Sequence, residues 1–151
     1  MKYQIQGKYF EDWGVGDEFE TGRRTVTETD IVIFAGLSGD YNPLHTNEEF
    51  AKTTIFGTRV AHGFLVHSIS VGLINQTKFF DGTVVAQKGH KNVVFTKGVV
   101  AGDTIYAKVK IAEKIDVGKA DRGEVVFDVE VINQRNEVCS KSTRVLLIKK
   151  I

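Results

Sequence analysis

The amino-acid sequence predicts an α+β fold in which a curved antiparallel β-sheet wraps around one apolar helix. Hydrophobic residues alternate with polar ones along residues 104–115 and 124–132, and this period of two is typical of antiparallel strands with one packed face. Residues 64–74 carry no charged side chain and have apolar groups on most faces, which predicts a buried central helix. Because the strands follow the helices instead of alternating with them, a βαβ arrangement is not expected.

The first helix signal lies ahead of an apolar periodic segment. Residues 18–27 can form an extended segment, and Thr27 with Asp30 resembles a capping signal at the start of a helix. Apolar residues at helical spacing follow it. We therefore expect a short helix that brings the chain to Ser38.

A second helix signal begins at Asn47. Glu48 and Glu49 follow it, and carboxylates in the first turn of a helix interact favourably with the helix dipole. Phe50 and Ala51 are expected on the inner side of this helix. In the second half of the chain, turn-like clusters separate four predicted strands, at residues 93–95, 104–115, 124–132 and 138–148.

Composition limits the classes of protein to which the chain can belong. Its 151 residues include ten phenylalanines, enough apolar material for one core, so residues 1–151 are interpreted as one domain. The formal net charge of +1 gives no basic stripe for nucleic acid. The single cysteine, Cys139, fits a reducing compartment. No secretion signal is expected and residues 64–74 are too short to span a bilayer, so we predict a cytoplasmic protein without a membrane partner.

The most informative segment, residues 38–45, reads Ser-Gly-Asp-Tyr-Asn-Pro-Leu-His and places a carboxylate and an imidazole around the only proline. The spacing of five residues and the Asn42-Pro43 pair predict a loop, which the proline stiffens. Such a loop can aim Asp40 and His45 at one small reactant, as general acid–base catalysis requires. The alternative is that Asp40 or Asn42 only caps the following helix.

Gly63 follows His62 at the predicted start of the central helix, where backbone N–H groups have no partner within the helix. An anion or a polarised carbonyl could bind there, because glycine lets a ligand approach the backbone closely. The alternative is that Gly63 only permits close packing of the helix start. His62 and His67 are five residues apart and have no cysteine or carboxylate nearby in sequence, so no metal site is expected.

Other polar residues are less specific. Ser68 and Ser70 are expected to bond back to helix carbonyls, since neither lies in a nucleophile motif. Four basic residues in or beside one predicted strand could meet phosphates of an anionic substrate. Solvated surface charge is the better explanation for each of Lys88, His90, Lys91 and Lys97.

These residues resemble those of a known family, the MaoC-like dehydratases, and in particular the (R)-specific enoyl-CoA hydratases. The resemblance rests on the run from Phe34 to His45, on Phe50-Ala51 and on Ala61-His62-Gly63, and a looser similarity covers most of the chain. It implies a hot-dog fold, a sheet around a central helix, which agrees with the α+β prediction. It also implies a homodimer or a multiple of dimers, in which CoA lies across the interface.

The resemblance implies an enzyme of the hydro-lyase class that adds water reversibly to trans-2-enoyl-CoA. Asp40 and His45 occupy the positions of the aspartate and histidine that hold the water, and the hydrated product is an (R)-3-hydroxyacyl-CoA. Gly63 corresponds to the backbone N–H that binds the thioester oxygen. The acyl-CoA is the substrate, so no cofactor is expected.

Five further residues are assigned by the same resemblance. Asn42, Pro43 and His62 are expected to support the site. Close family members have a serine on the central helix near the thioester, and ungapped counting along the motif gives Val71 there, with Ser70 beside it. These two residues are expected near the substrate pocket.

Alternatives differ in how well they fit the sequence. Hot-dog thioesterases and acyl-carrier-protein dehydratases commonly carry a catalytic Asp or Glu on the central helix, and residues 64–75 contain neither. A non-catalytic acyl-CoA-binding protein would keep the fold without turnover, but the presence of Asp40, His45 and Gly63 together argues against it. A hydratase specialised for a short, branched or dicarboxylic acyl-CoA stays open.

Overall fold

The structure is a computed structural model and describes residues 2–151. After a short 3-10 helix at Phe10–Asp12, the helices are α1 (Glu28–Ser38), α2 (Pro43–Thr46), α3 (Glu48–Ala51) and α4 (Gly63–Gln76). The strands are β1 (Glu18–Glu20), β2 (Arg24–Thr25), β3 (Val84–Phe95), β4 (Thr104–Ile115), β5 (Arg122–Asn133) and β6 (Val138–Lys149). None of these described helices is long and apolar enough to cross a membrane.

All six described strands belong to one antiparallel sheet. Its order is β1, β4, β5, β6, β3, and β2 also pairs with β4. Consecutive hairpins join β4, β5 and β6, and β6 pairs on its other side with β3, which precedes β4 in the chain. Within residues 2–151, the outer edge of β3 has no partner strand. The predicted α+β class with an antiparallel sheet is confirmed.

The core forms where α4 packs against the inner face of this sheet. The residues with period-two spacing on β4 and β5 point inward and are buried, and they include Ile105, Ala107, Val109, Ile111, Val125, Phe127, Val129 and Val131. From the helix, Leu65, Ile69 and Leu73 pack against the same surface. Burying one such large aliphatic or aromatic side chain contributes about 1.5–3 kcal/mol. The apolar faces seen in the sequence are therefore the main source of stability.

The start of α1 follows the predicted capping signal. The Asp30 N–H donates to Thr27 Oγ1 at 3.2 Å, and the Thr27 N–H donates to the Asp30 carboxylate at 2.8 Å. This reciprocal pair satisfies two backbone donors at the helix start. The predicted helix start at Asn47 is also confirmed, because its side chain accepts from the Phe50 N–H.

Two expectations about burial are confirmed only in part. Phe50 is 45% exposed, whereas Ala51 is fully buried, because α3 has only four residues and buries one small side chain. The central helix is not buried on all sides, because Phe64 is 62% exposed and Ser68 lies on the same open face. Within the described chain, α4 therefore has a packed face and an open face.

Strand β3 is longer than the predicted segment 93–95, which forms only its end. Its pairing with β6 contains three register shifts, at residues 84–86, 87–89 and 91–94. Asn92 has a positive φ of 51° within this strand. Such bulges interrupt the alternation of side chains between the two faces, so the sequence shows no clear period of two here.

We predict that Gly39→Ala destabilises the fold. Gly39 ends α1 with φ of 77°, and its N–H donates to the Ala35 carbonyl at 2.9 Å. A side chain there meets no atom within 4 Å, so the cost is that of the left-handed backbone alone, about 1 kcal/mol. Chemical denaturation measures it.

The matched control is Gly36→Ala, inside the same helix. Its new methyl group would lie 3.6 Å from the Tyr41 hydroxyl, an ordinary contact. This variant should be more stable by about 0.5–1 kcal/mol. Equal stability of the Gly36 and Gly39 variants would contradict the prediction.

Candidate active site

Asp40 lies on a short connection between α1 and α2. Its carboxylate Oδ1 accepts from the Asn42 N–H at 3.2 Å, and its side chain is 52% exposed. The Asn42 side chain in turn accepts from the Leu44 N–H at 3.0 Å and caps α2. The prediction of a loop between Asp40 and His45 is confirmed for residues 40–42 and wrong from Pro43 onward, because Pro43 starts a one-turn helix. Proline suits this first helical position, where its missing N–H costs no bond.

His45 is held by the backbone in one tautomer. Its Nδ1 lies 2.6 Å from the Val60 carbonyl oxygen, which can only accept, so Nδ1 carries the proton. Nε2 is then an acceptor, and Oδ2 of the Asp40 carboxylate lies 4.0 Å from it. This separation is too long for a direct hydrogen bond. It suits one water molecule or one substrate hydroxyl that contacts both groups.

His62 connects the two halves of the site. Its Nε2 donates to the Asp40 carbonyl at 2.9 Å, and its ring stacks on His45 with 3.8 Å between centroids. Phe34 covers the ring from α1, and His62 is buried. His62 therefore positions Asp40 and His45.

Gly63 is the first residue of α4, so its N–H has no partner within the helix. No side chain caps this helix start. A Cβ atom at Gly63 would lie 2.6 Å from the Phe95 ring, which rests directly on the glycine. A cavity of about 350 Å³ opens beside it and is lined by residues that include His45, Val66 and Cys139. The helix N-terminus is thus available to an oxygen atom close to the Asp40 and His45 pair.

Ligand atoms of Asp40, His45 and His62 lie within 4.8 Å of one another. Carboxylate and imidazole groups at this spacing can bind a divalent cation. The predicted absence of a metal therefore stays a prediction.

Ser70 and Val71 do not line the cavity beside Gly63. The Ser70 hydroxyl is buried and donates to the His67 carbonyl at 2.6 Å, as expected for a helix serine. Val71 is half-buried toward the open face of α4. Their predicted place at the substrate stays a prediction.

Two contacts that shape the site could not be predicted from the sequence. The Val60 carbonyl fixes the His45 tautomer from 15 residues away, and Phe95 covers Gly63 from the far end of β3. Neither contact leaves a local pattern in the sequence, because tertiary packing brings both into place.

Comparison with known proteins assigns this arrangement to a family. The sequence model of the "MaoC like domain" matches residues 12–134, which include Asp40, His45, His62 and Gly63. The chain belongs to the MaoC-like dehydratase family. The resemblance found in the sequence is confirmed.

Named relatives of this MaoC-like chain are hydratases and dehydratases, that is, hydro-lyases. The (R)-specific enoyl-CoA hydratase of Rhodospirillum rubrum is 40% identical over 68% of this chain and 69% of its own length. The 3-hydroxybutyryl-CoA dehydratase of Methylorubrum extorquens is 33% identical over 87% of each chain. Protein MaoC of Klebsiella aerogenes is 42% identical over 71% of this chain, but the match spans only 31% of that longer protein.

Solved structures share the fold. The "Monoamine oxidase regulatory protein" from Archaeoglobus fulgius is 42% identical, covers 96% of each chain and superposes with a TM-score of 0.89. A double hotdog protein from Mycobacterium tuberculosis superposes with a TM-score of 0.84 at 18% identity, over 99% of this chain and 46% of that one. The second similarity shows the fold alone. The hot-dog prediction is confirmed.

We predict that Gly63→Ala lowers kcat/KM for hydration by about 10²-fold, because the variant keeps the backbone N–H but moves it from its position at the helix start. The new methyl group would meet the Phe95 ring at 2.6 Å, so the ring or the helix start must move. Gly72→Ala on the same helix is the control, because its methyl group would meet nothing within 4 Å. Equal activity of the two variants would contradict this prediction.

Proposed function

We propose that this chain catalyses the reversible hydration of trans-2-enoyl-CoA to (R)-3-hydroxyacyl-CoA. The observation that carries the proposal is the position of two acceptors, Asp40 Oδ2 and His45 Nε2, 4.0 Å apart beside the free N–H of Gly63. The (R) configuration is taken from the named hydratases that the chain resembles.

The two acceptors suit a water molecule, because water has two protons to donate. Asp40 is acceptor-only as a carboxylate, and the His45 tautomer leaves Nε2 as an acceptor as well. Water held by both groups would direct an oxygen lone pair toward the substrate. One acceptor takes a proton as the C3–O bond forms, and that proton is then delivered to C2.

The N-terminus of α4 suits the charge that develops during this addition. Attack at C3 pushes electrons onto the thioester oxygen, which becomes enolate-like. The Gly63 N–H and the positive end of the helix dipole would stabilise that oxygen. A fixed donor of this kind is worth about 2.7–4 kcal/mol of activation free energy. Hydration needs no redox or group-transfer step, so we propose no cofactor.

A thioesterase with a catalytic carboxylate on the central helix is disfavoured. The sequence of α4 from Gly63 to Gln76 contains neither Asp nor Glu. A non-catalytic acyl-CoA-binding protein would not require the His45 tautomer or the Asp40 position, both of which are held by specific hydrogen bonds.

We also propose that the protein is a homodimer, or a multiple of dimers, in which two β3 strands pair edge to edge. The outer edge of β3 is unpaired within residues 2–151, and a long free strand edge promotes association. Phe64 and Phe95 stack edge to face beside it, at 5.7 Å between centroids, and both are exposed. A second copy would cover this apolar surface. We further propose a cytoplasmic location for the protein.

Asp40→Asn and His45→Ala are each predicted to lower the rate by about 10²–10⁴ while the fold is kept. Loss of absorbance of the conjugated enoyl thioester measures turnover, with crotonyl-CoA and a medium-chain enoyl-CoA. Glu49→Gln is the control, since its carboxylate is exposed and pairs only with Lys52. Full activity of the Asp40 variant would refute the proposed function.

Sedimentation equilibrium at micromolar protein should return twice the mass of one chain, or a multiple of that. Phe64→Asp should shift the equilibrium toward the single chain, because it places a charge in the proposed interface. A single-chain mass for the unaltered protein would refute the dimer.

A further inference from the structure

Arg144 on β6 is a buried cation inside the fold. It is only 5% exposed and faces inward, opposite Phe127 in the register of β5 and β6. Its guanidinium lies over the Phe80 ring at 5.6 Å, and Nε donates to the Gln87 side chain at 3.2 Å. Nη1 is buried and has no hydrogen-bond partner in residues 2–151.

No carboxylate in the described chain neutralises this charge. Burial lowers the pKa of Arg144, and no acidic neighbour opposes that effect. A buried charge without a partner costs several kcal/mol, so proteins rarely keep one without a compensating group. A bound anion would compensate the charge of the Arg144 guanidinium.

Two histidines complete the polar cluster around Arg144. His67 Nε2 on α4 lies 3.0 Å from His90 Nδ1 on β3, and His67 Nδ1 is buried without a partner. Burial lowers the pKa of His67, and the positive charge of Arg144 lowers it further. Burial, His67 and Arg144 together lower the pKa of His90 to about 4. Both rings are therefore neutral at pH 7, and Arg144 supplies the charge.

The charge of this cluster favours an anion over a metal. Two histidines alone could bind a transition metal, but a cation there would be repelled by the Arg144 guanidinium. A guanidinium with a free N–H edge binds carboxylates through strong charge-assisted hydrogen bonds. His67 can add a hydrogen bond from Nδ1 in the appropriate tautomer.

His67, the member of the cluster that lies on α4, is one helical turn from the proposed thioester site. Gly63 and His67 are four residues apart on α4, so they share a face at about 6 Å along the helix axis. Val66, between them, lines the cavity beside Gly63. A five-carbon acyl chain has a comparable length. A chain whose thioester oxygen is bound at Gly63 is therefore long enough to bring its far end to the level of His67.

We propose that Arg144, with His67 and His90, binds a distal carboxylate of the acyl group, so that the substrates are CoA thioesters of short dicarboxylic acids. This inference rests on the proposed hydratase function and specifies its substrate class. The carboxylate would neutralise Arg144 and fill the unpaired positions on Nη1 and His67 Nδ1.

The first test measures binding and does not depend on turnover. Glutaryl-CoA and pentanoyl-CoA have five-carbon acyl chains that differ in one terminal group, a carboxylate in place of a methyl. By calorimetry, the protein should bind glutaryl-CoA about 10–150 times more tightly, the range expected for one hydrogen bond to a charged group. Equal affinities, or no binding of either ester, would overturn the inference.

The second test measures hydration of glutaconyl-CoA and trans-2-pentenoyl-CoA, the matching unsaturated pair. A preference for glutaconyl-CoA in kcat/KM supports the inference. Turnover of both at equal rates would leave the hydratase standing and refute the substrate class. Tight binding of glutaryl-CoA without turnover of either ester would refute the hydratase and leave the carboxylate site standing.

Arg144→Met keeps much of the side-chain volume and removes the charge. The affinity ratio between the two saturated esters should fall to about one. Arg144→Lys, which keeps a charge but lacks the forked geometry, should retain part of the ratio and guards against misfolding of the first variant. Arg122→Met, at a partly exposed arginine on β5, is the matched control and should keep the full ratio. An unchanged ratio in a folded Arg144→Met protein would overturn the inference.

Discussion

The hydrogen bond from His62 Nε2 to the Asp40 carbonyl holds together two segments that lie 22 residues apart. The same histidine stacks on His45 and immediately precedes α4, so one buried ring sets the relative positions of three functional groups. Groups fixed by packing and backbone bonds need little reorganisation when a substrate binds. The proposed chemistry at Asp40, His45 and Gly63 depends on this contact more than on any feature of the sheet.

The polar groups beside the N-terminus of α4 and those around His67, one turn farther along the helix, have different environments. At the N-terminus, the Asp40 carboxylate is open to solvent and accepts a backbone hydrogen bond. Arg144 and His67 are enclosed, and each has an unpaired nitrogen, as has the buried His62 beside the N-terminus. Buried polar groups are normally paired, so an unpaired one indicates that a function, and not the stability of the fold, accounts for the residue. The open end suits a reaction with water, and the enclosed end suits selection among substrates.

Sequence periodicity predicted the parts of the fold that local patterns determine. The predicted strand at 104–115 coincides with β4, and the Thr27 cap starts α1. The family motif brought Asp40 and His45 to one site, but the preference of proline for a helix start was underestimated at Pro43. His90 could not be assigned to the interior, because bulges in β3 decide which face each side chain occupies. Its contact with His67 and the burial of Arg144 follow from that register, which no spacing in the sequence encodes.

The three irregularities in β3 also affect what can recognise this strand. A flat, regular edge accepts almost any extended peptide, whereas an edge bent by bulges accepts only a strand with a matching sequence of bends. A second copy of β3, running in the opposite direction, has the same bends and is present wherever the protein is made. The distortions that obscure β3 in the sequence therefore limit which strands can add to this edge of the folded sheet, and so oppose non-specific β-aggregation.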